Sequence, residues 1–175
     1  MTNAAKSPPT DDDLERAARQ LGRRLVGRGW QMAAAESCTG GMIGHVITQV
    51  PKSSDHFLGG IVSYSDAVKE ELLNVAPELI AQVGAVSSEV AEAMTSGVLE
   101  RFPVADLAVA VTGIAGPDGG SDEKPVGLTY VAAAMRHGPA TVERHIWPHD
   151  RDGNKRASVL AALDLATRLA ENADQ

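Results

Sequence analysis

Apolar residues recur every three or four positions near the start of the chain, at Leu14, Ala17, Ala18, Leu21, Leu25 and Val26. That spacing predicts an amphipathic helix over 11–28, capped by Thr10 or Asp11 and ended by Gly27 and Gly29. A short apolar run at 31–36 then predicts a first strand. Residues 40–50 read as a helix closed by Pro51, 59–64 as a second strand, and 65–73 as a helix capped by Ser65 or Asp66. A short helix is expected over 77–82. Val90, Ala91, Met94, Val98 and Leu99 mark one face of a helix over 87–101. Residues 107–112 are almost continuously apolar, the pattern of a strand buried on both faces. A glycine-rich loop spans 113–125. Strands over 128–135 and 141–146 meet at Gly138-Pro139, a link short enough for an antiparallel hairpin. The last helix is expected over 151–171. Helices alternate with strands before the hairpin, so the expected fold is α/β, a three-layer α/β/α sandwich with a mixed, mainly parallel central sheet. Residues 1–10, with Ser7-Pro8-Pro9-Thr10, read as a disordered tail, and 11–175 as a single domain.

Composition narrows the partners. The chain has 175 residues, 43% of them hydrophobic but only 3% aromatic. The core must therefore be built from Ala, Val, Leu and Ile, and stacking platforms for single strands are not expected. The net charge of −7 lacks the basic footprint of a nucleic-acid partner. No run approaches the ~18 apolar residues of a membrane span. One cysteine, Cys38, cannot form an internal disulfide, which suits the cytoplasm. The five histidines, His45, His56, His137, His145 and His149, show no metal-ligand spacing, and no metal is expected.

Four segments can carry chemistry. In Glu36-Ser37-Cys38-Thr39-Gly40-Gly41 a buried strand meets a helix. A hydroxyl there can act as a nucleophile beside free helix N–H groups, or can simply cap the helix. Cys38 is a rival nucleophile without an identifiable base, or a small buried apolar residue. In Ser63-Tyr64-Ser65-Asp66-Ala67-Val68-Lys69, Tyr64 ends a strand and Lys69 lies one turn into the next helix. If the two strands are parallel neighbours, Ser37, Tyr64 and Lys69 converge. A Ser–Lys pair needs a neutral lysine, so burial or nearby positive potential must depress its usual value of about 10.4. The alternative is a solvated lysine beside Glu70 and Glu71. Thr112-Gly113-Ile114-Ala115-Gly116-Pro117-Asp118-Gly119-Gly120 offers backbone groups that can wrap a phosphate or ribose, or is a flexible surface loop. It fits neither a P-loop nor a dinucleotide fingerprint. Finally, Arg151 or Arg156 at the start of the last helix can clamp a phosphate or carboxylate, or sit with Lys155 on a solvated turn.

Taken in order, Ala35-Glu36-Ser37-Cys38-Thr39-Gly40-Gly41, Tyr64-Ser65 with Lys69, Gly84-Ala85-Val86-Ser87, the 112–120 segment and Lys124-Pro125-Val126-Gly127 resemble the C-terminal domain family of the competence/damage-inducible protein CinA. The resemblance covers about residues 11–172. Stand-alone members are nicotinamide mononucleotide deamidases. It therefore implies a cytoplasmic amidohydrolase that makes nicotinate mononucleotide and ammonia without a cofactor, as a homo-oligomer. Ser37 matches the family's catalytic serine, Lys69 its catalytic lysine, and Tyr64 the tyrosine before it. Cys38, Thr39, Gly40, Gly41, Thr112, Gly113, Ala115, Gly116, Gly119, Gly120 and Arg156 are the implied substrate-binding residues, with Arg151 the alternative arginine. Gly153-Asn154 departs from the stronger helix formers expected there. Longer members carry a further domain related to molybdopterin-binding proteins, with pyrophosphatase activity, for which 175 residues leave no room. The competing expectation is a binding module of the same fold without chemistry.

Overall fold

In a computed structural model, which describes residues 7–173, Thr10 caps the first helix, α1 (Asp11–Arg28). Its side chain accepts from Asp13 N–H while the Asp13 carboxylate accepts from Thr10 N–H, and three aspartates fill the positive first turn. Gly29, in the left-handed region, ends the helix. Of the tail expected over 1–10, residues 1–6 lie outside the described residues.

The strands are β1 (Met32–Glu36), β2 (Phe57–Val62), β3 (Leu107–Gly113), β4 (Leu128–Met135) and β5 (Ala140–Ile146). They form one sheet in the order β2-β1-β3-β4-β5. β1 pairs parallel with β2 and β3, while β3–β4 and β4–β5 are antiparallel. The pairings thus split evenly, yet only β4 opposes the direction of the other strands. β2 starts two residues earlier than its pattern suggests and ends before Tyr64. Gly59-Gly60 masks its start, and a register irregularity at Met32/Ala33 accompanies the glycines.

Alternation along the buried strands sorts side chains into two cores. Met32, Ala34, Leu107, Val109, Val111, Val131 and Ala133 face α1, α2 (Met42–Thr48) and α6 (Arg151–Asn172). Ala33, Ala35, Ala108, Ala110 and Ala132 face α3 (Asp66–Leu73), α4 (Pro77–Val83) and α5 (Ser88–Arg101). Alanine on that second face lets α5 sit close to the sheet. α5 also approaches the end of α3 closely: a Cβ at Gly97 would stand 2.1 Å from the Leu73 carbonyl oxygen. This contact fixes the helix that bears Lys69. Among the described residues, no helix is long and apolar enough to cross a membrane.

Candidate active site

β1 and β2 are parallel neighbours, so the segments that follow them leave the sheet side by side. Period-two alternation continues past the end of β1. Glu36 falls on the α2 face with Met32 and Ala34. Ser37, still held to β3 by its N–H to the Val111 carbonyl at 3.0 Å, falls on the opposite side, where α3 lies.

Glu36 is 2% exposed, and its carboxylate accepts the Gly41, Ile43 and Gly44 N–H groups at 2.9–3.0 Å. It thereby fills the N-terminus of α2. Gly41 is the N-cap, with φ 95, a backbone state that L side chains rarely adopt. Neither Ser37 nor Thr39 caps α2: the N-cap is Gly41, and the amides at 41, 43 and 44 go to the Glu36 carboxylate. The helix consequently starts later than the expected residue 40. Those three amides are therefore not the free N–H groups expected beside the hydroxyl. Gly40 N–H is also occupied, by the Ser37 carbonyl. The Cys38 and Thr39 N–H groups have no backbone acceptor among the described residues.

Lys69 is 1% exposed. Its Nζ lies 3.3 Å from Ser37 Oγ, 2.9 Å from the Ser63 carbonyl oxygen and 3.5 Å from that of Tyr64. As an ammonium Lys69 donates to all three oxygens; as a neutral amine it keeps two hydrogens for the carbonyls and has a lone pair to turn to the serine hydroxyl. Burial holds the Lys69 amine below its usual value, against the opposing influence of Asp66, whose carboxylate is 3.9 Å away, and of Cys38. Burial also pushes the Cys38 thiol up to about 12, so it stays protonated and is a poor nucleophile.

Tyr64 is placed differently from its expected role. The residue is 62% exposed, and its hydroxyl accepts from Arg151 Nη2 at 3.3 Å. Lys69 reaches Ser37 directly, leaving no gap for a phenol to bridge.

The glycine-rich loop closes the other side through α6. Arg151 Nη1 donates to the Gly116 carbonyl at 2.6 Å, and the buried Asn154 amide donates to the Ala115 carbonyl at 3.0 Å. Asn154 Oδ1 accepts from His149 N–H, and Asp150 caps the helix by accepting from Gly153 N–H. Gly153 is needed because a Cβ there would stand 2.6 Å from the His149 Cβ. The unusual Gly153-Asn154 pair thus docks the helix start against the loop. Thr112 and Gly113 are structural in this state: the Thr112 hydroxyl is spent on the Ala85 carbonyl, and Gly113 packs on Leu128 and Thr129. Gly119 and Gly120 are exposed farther along the loop.

Arg156 is not brought to this site. It pairs with Asp11 at 2.5 Å and Asp152 at 2.6 Å, tying α6 to α1. A helix turns about 100° per residue, so Arg156 points about 140° away from Arg151. Lys155, set aside as a solvated side chain, lies instead against the nucleophile loop. Its Nζ is 3.9 Å from where a Cβ on Gly40 would stand. The signal available in the sequence was its four-residue spacing from Arg151.

The chain matches the CinA C-terminal domain over residues 14–170. It is 43% identical over 154 residues to the Nicotinamide-nucleotide amidohydrolase PncC of Escherichia coli (strain K12), covering 88% of this chain and 93% of that protein. A CinA-like protein of Synechocystis sp. is 50% identical over 159 residues, or 90% of this chain. The chain spans only 37% of that longer relative, and likewise 37% of a Moorella thermoacetica protein named as a putative competence-damage inducible protein. Among solved structures, competence/damage inducible protein CihA of Agrobacterium tumefaciens superposes with a TM-score of 0.87 at 37% identity, covering 94% of this chain and 98% of that one.

Proposed function

The chain belongs to the CinA C-terminal domain family, and from that premise we propose that it is an amidohydrolase converting nicotinamide mononucleotide to nicotinate mononucleotide and ammonia. The name of the Escherichia coli relative, which this chain covers almost fully, supports the substrate. The observation that carries the chemistry is the 3.3 Å approach of buried Lys69 Nζ to Ser37 Oγ.

In this mechanism the neutral Lys69 amine takes the Ser37 proton as Ser37 Oγ bonds to the carboxamide carbon. The cationic pyridinium ring makes that carbon more electrophilic. The Cys38 and Thr39 N–H groups hold the oxyanion. Collapse breaks the C–N bond, and the Lys69 ammonium protonates the departing nitrogen, releasing ammonia. Water then attacks the ester and gives a proton to Lys69. The C–O bond to Ser37 breaks, and Lys69 returns the proton to the serine. No step draws on a group outside the chain, the substrate and water. The 115–120 loop segment and Arg151 hold the ribosyl phosphate. A cytoplasmic homo-oligomer is part of the same proposal.

Ammonia release from nicotinamide mononucleotide, nicotinamide riboside and free nicotinamide tests it. The mononucleotide is expected to be turned over well and the other two poorly. Absence of release from all three overturns it.

Direct Ser37–Lys69 contact also fixes the expectation for Tyr64. Tyr64→Phe keeps kcat within about two-fold, because proton transfer does not pass through the phenol. A fall in kcat of about 100-fold with KM unchanged would return the hydroxyl to the relay.

A further inference from the structure

The positive charge of this site is concentrated at the start of α6, away from the N-terminus of α2. Glu36 occupies the α2 amides at 41, 43 and 44 and presents a buried carboxylate where an anion would otherwise bind. Asp150 caps the helix with its own carboxylate and Asp152 pairs with Arg156, so the cationic character here comes from the side chains of Arg151 and Lys155 and not from the helix pole. Arg151 spans from the Gly116 carbonyl to Tyr64. Four residues on, and so only about 40° around the helix, comes Lys155. It is half-buried, yet its ammonium makes no hydrogen bond or ion pair with any described residue. It faces Gly40, and its charge is felt at the Cys38 thiol together with that of Lys69. An ammonium without a partner among the described residues, set against the nucleophile loop and one turn from an arginine that reaches the glycine loop, is arranged for an anionic ligand.

Building on the amidohydrolase reading, we propose that Lys155 is a specificity-determining residue, which with Arg151 takes the phosphate monoester of the substrate and separates nucleotide from nucleoside. Lys155 supplies a mobile point charge, and Arg151 the fixed donor fork. The phosphate end of the substrate then rests between α6 and the 115–120 segment, and the carboxamide reaches Ser37.

Lys155→Met removes the charge and keeps an unbranched stem. Two readouts are taken on wild type, Lys155→Met and Lys155→Arg: kcat/KM for nicotinamide mononucleotide and for its riboside, and calorimetric binding of ribose 5-phosphate. Lys155→Met is expected to lower kcat/KM for the mononucleotide by about 10- to 100-fold. The riboside value stays within about two-fold, ribose 5-phosphate binding weakens in step, and Lys155→Arg restores the preference. Equal losses on both substrates would mean that Lys155 only supports the Ser37 loop, and they overturn the proposal, as does an unchanged mononucleotide value. If wild type releases no ammonia from any substrate, the amidohydrolase reading has failed. The ribose 5-phosphate titration alone then decides the anion site, and equal binding by wild type and Lys155→Met overturns it.

Discussion

Ser37→Ala is expected to abolish ammonia release from nicotinamide mononucleotide, a loss of about 10⁴-fold or more in kcat, while substrate binding stays measurable. Removing a nucleophile leaves only the binding and oxyanion contributions, which do not break an amide by themselves. No neighbouring group can substitute. The Cys38 thiol is protonated, with burial holding it at about 12. Thr39 is buried, and its hydroxyl has no hydrogen-bond partner among the described residues to act as a base. The fold should survive. Among the described residues Ser37 Oγ makes a single hydrogen bond, with Lys69, and losing it costs about 1 kcal/mol. A melting temperature within a few degrees of wild type would separate lost chemistry from lost structure. Near wild-type turnover by Ser37→Ala would remove the serine from the mechanism.

Lys69→Met has the second-largest effect, with opposite signs on activity and stability. Turnover falls by about 10²–10⁴-fold, the range for loss of a positioned general base. In wild type, activity depends on the neutral amine. Log kcat/KM therefore rises with pH through the depressed Lys69 value and levels off above it. Stability follows the same titration. Between the depressed folded value and the ordinary 10.5, the unfolded chain binds a proton that the folded chain does not. Stability consequently grows as pH rises through that window and is lost as pH falls from 10.5 towards the folded value. Lys69→Met removes this slope. It also replaces a desolvated amine with an apolar side chain of similar length, and is expected to raise Tm at neutral pH by about 2–4 °C, the scale of 1 kcal/mol for a chain of this size. A pH–rate profile and thermal melts at several pH values check both halves. An active Lys69→Met variant, or a profile that falls with rising pH, would contradict the base assignment.

The Ser37–Lys69 meeting was legible before the structure because it needs only two strands in parallel, each followed by its functional residue. The helix of 11–28 was equally plain, since its apolar spacing, cap and terminal glycines agree. Other features were hidden for identifiable reasons. Glu36 reads as the last residue of the first strand, with nothing in the run to say what its carboxylate meets. Only alternation carried to the end of the strand shows that it falls beneath α2, where three N–H groups await it. The choice between Arg156 and Arg151 turns on helix phase, which cannot be set until the helix start is known. Asp150 sets that start by capping it, Arg151 and Asn154 hold it through tertiary contacts with Gly116 and Ala115, and Gly153 looks like a breaker until the crowding by His149 is seen. Tyr64 ends its segment beyond β2 because the strand begins at Phe57, a shift concealed by Gly59-Gly60. The four-residue spacing of Lys155 from Arg151 puts the two on one helix face but does not say what that face meets, which only the approach to Gly40 shows.

The most direct measurement incubates purified wild-type protein and Ser37→Ala side by side with nicotinamide mononucleotide, quantifying ammonia and nicotinate mononucleotide in each. Wild type should form the two in equal amounts, and Ser37→Ala neither. A wild-type protein that binds the nucleotide but releases no ammonia would make the fold a binding module, and equal release by both proteins would place the chemistry elsewhere than Ser37.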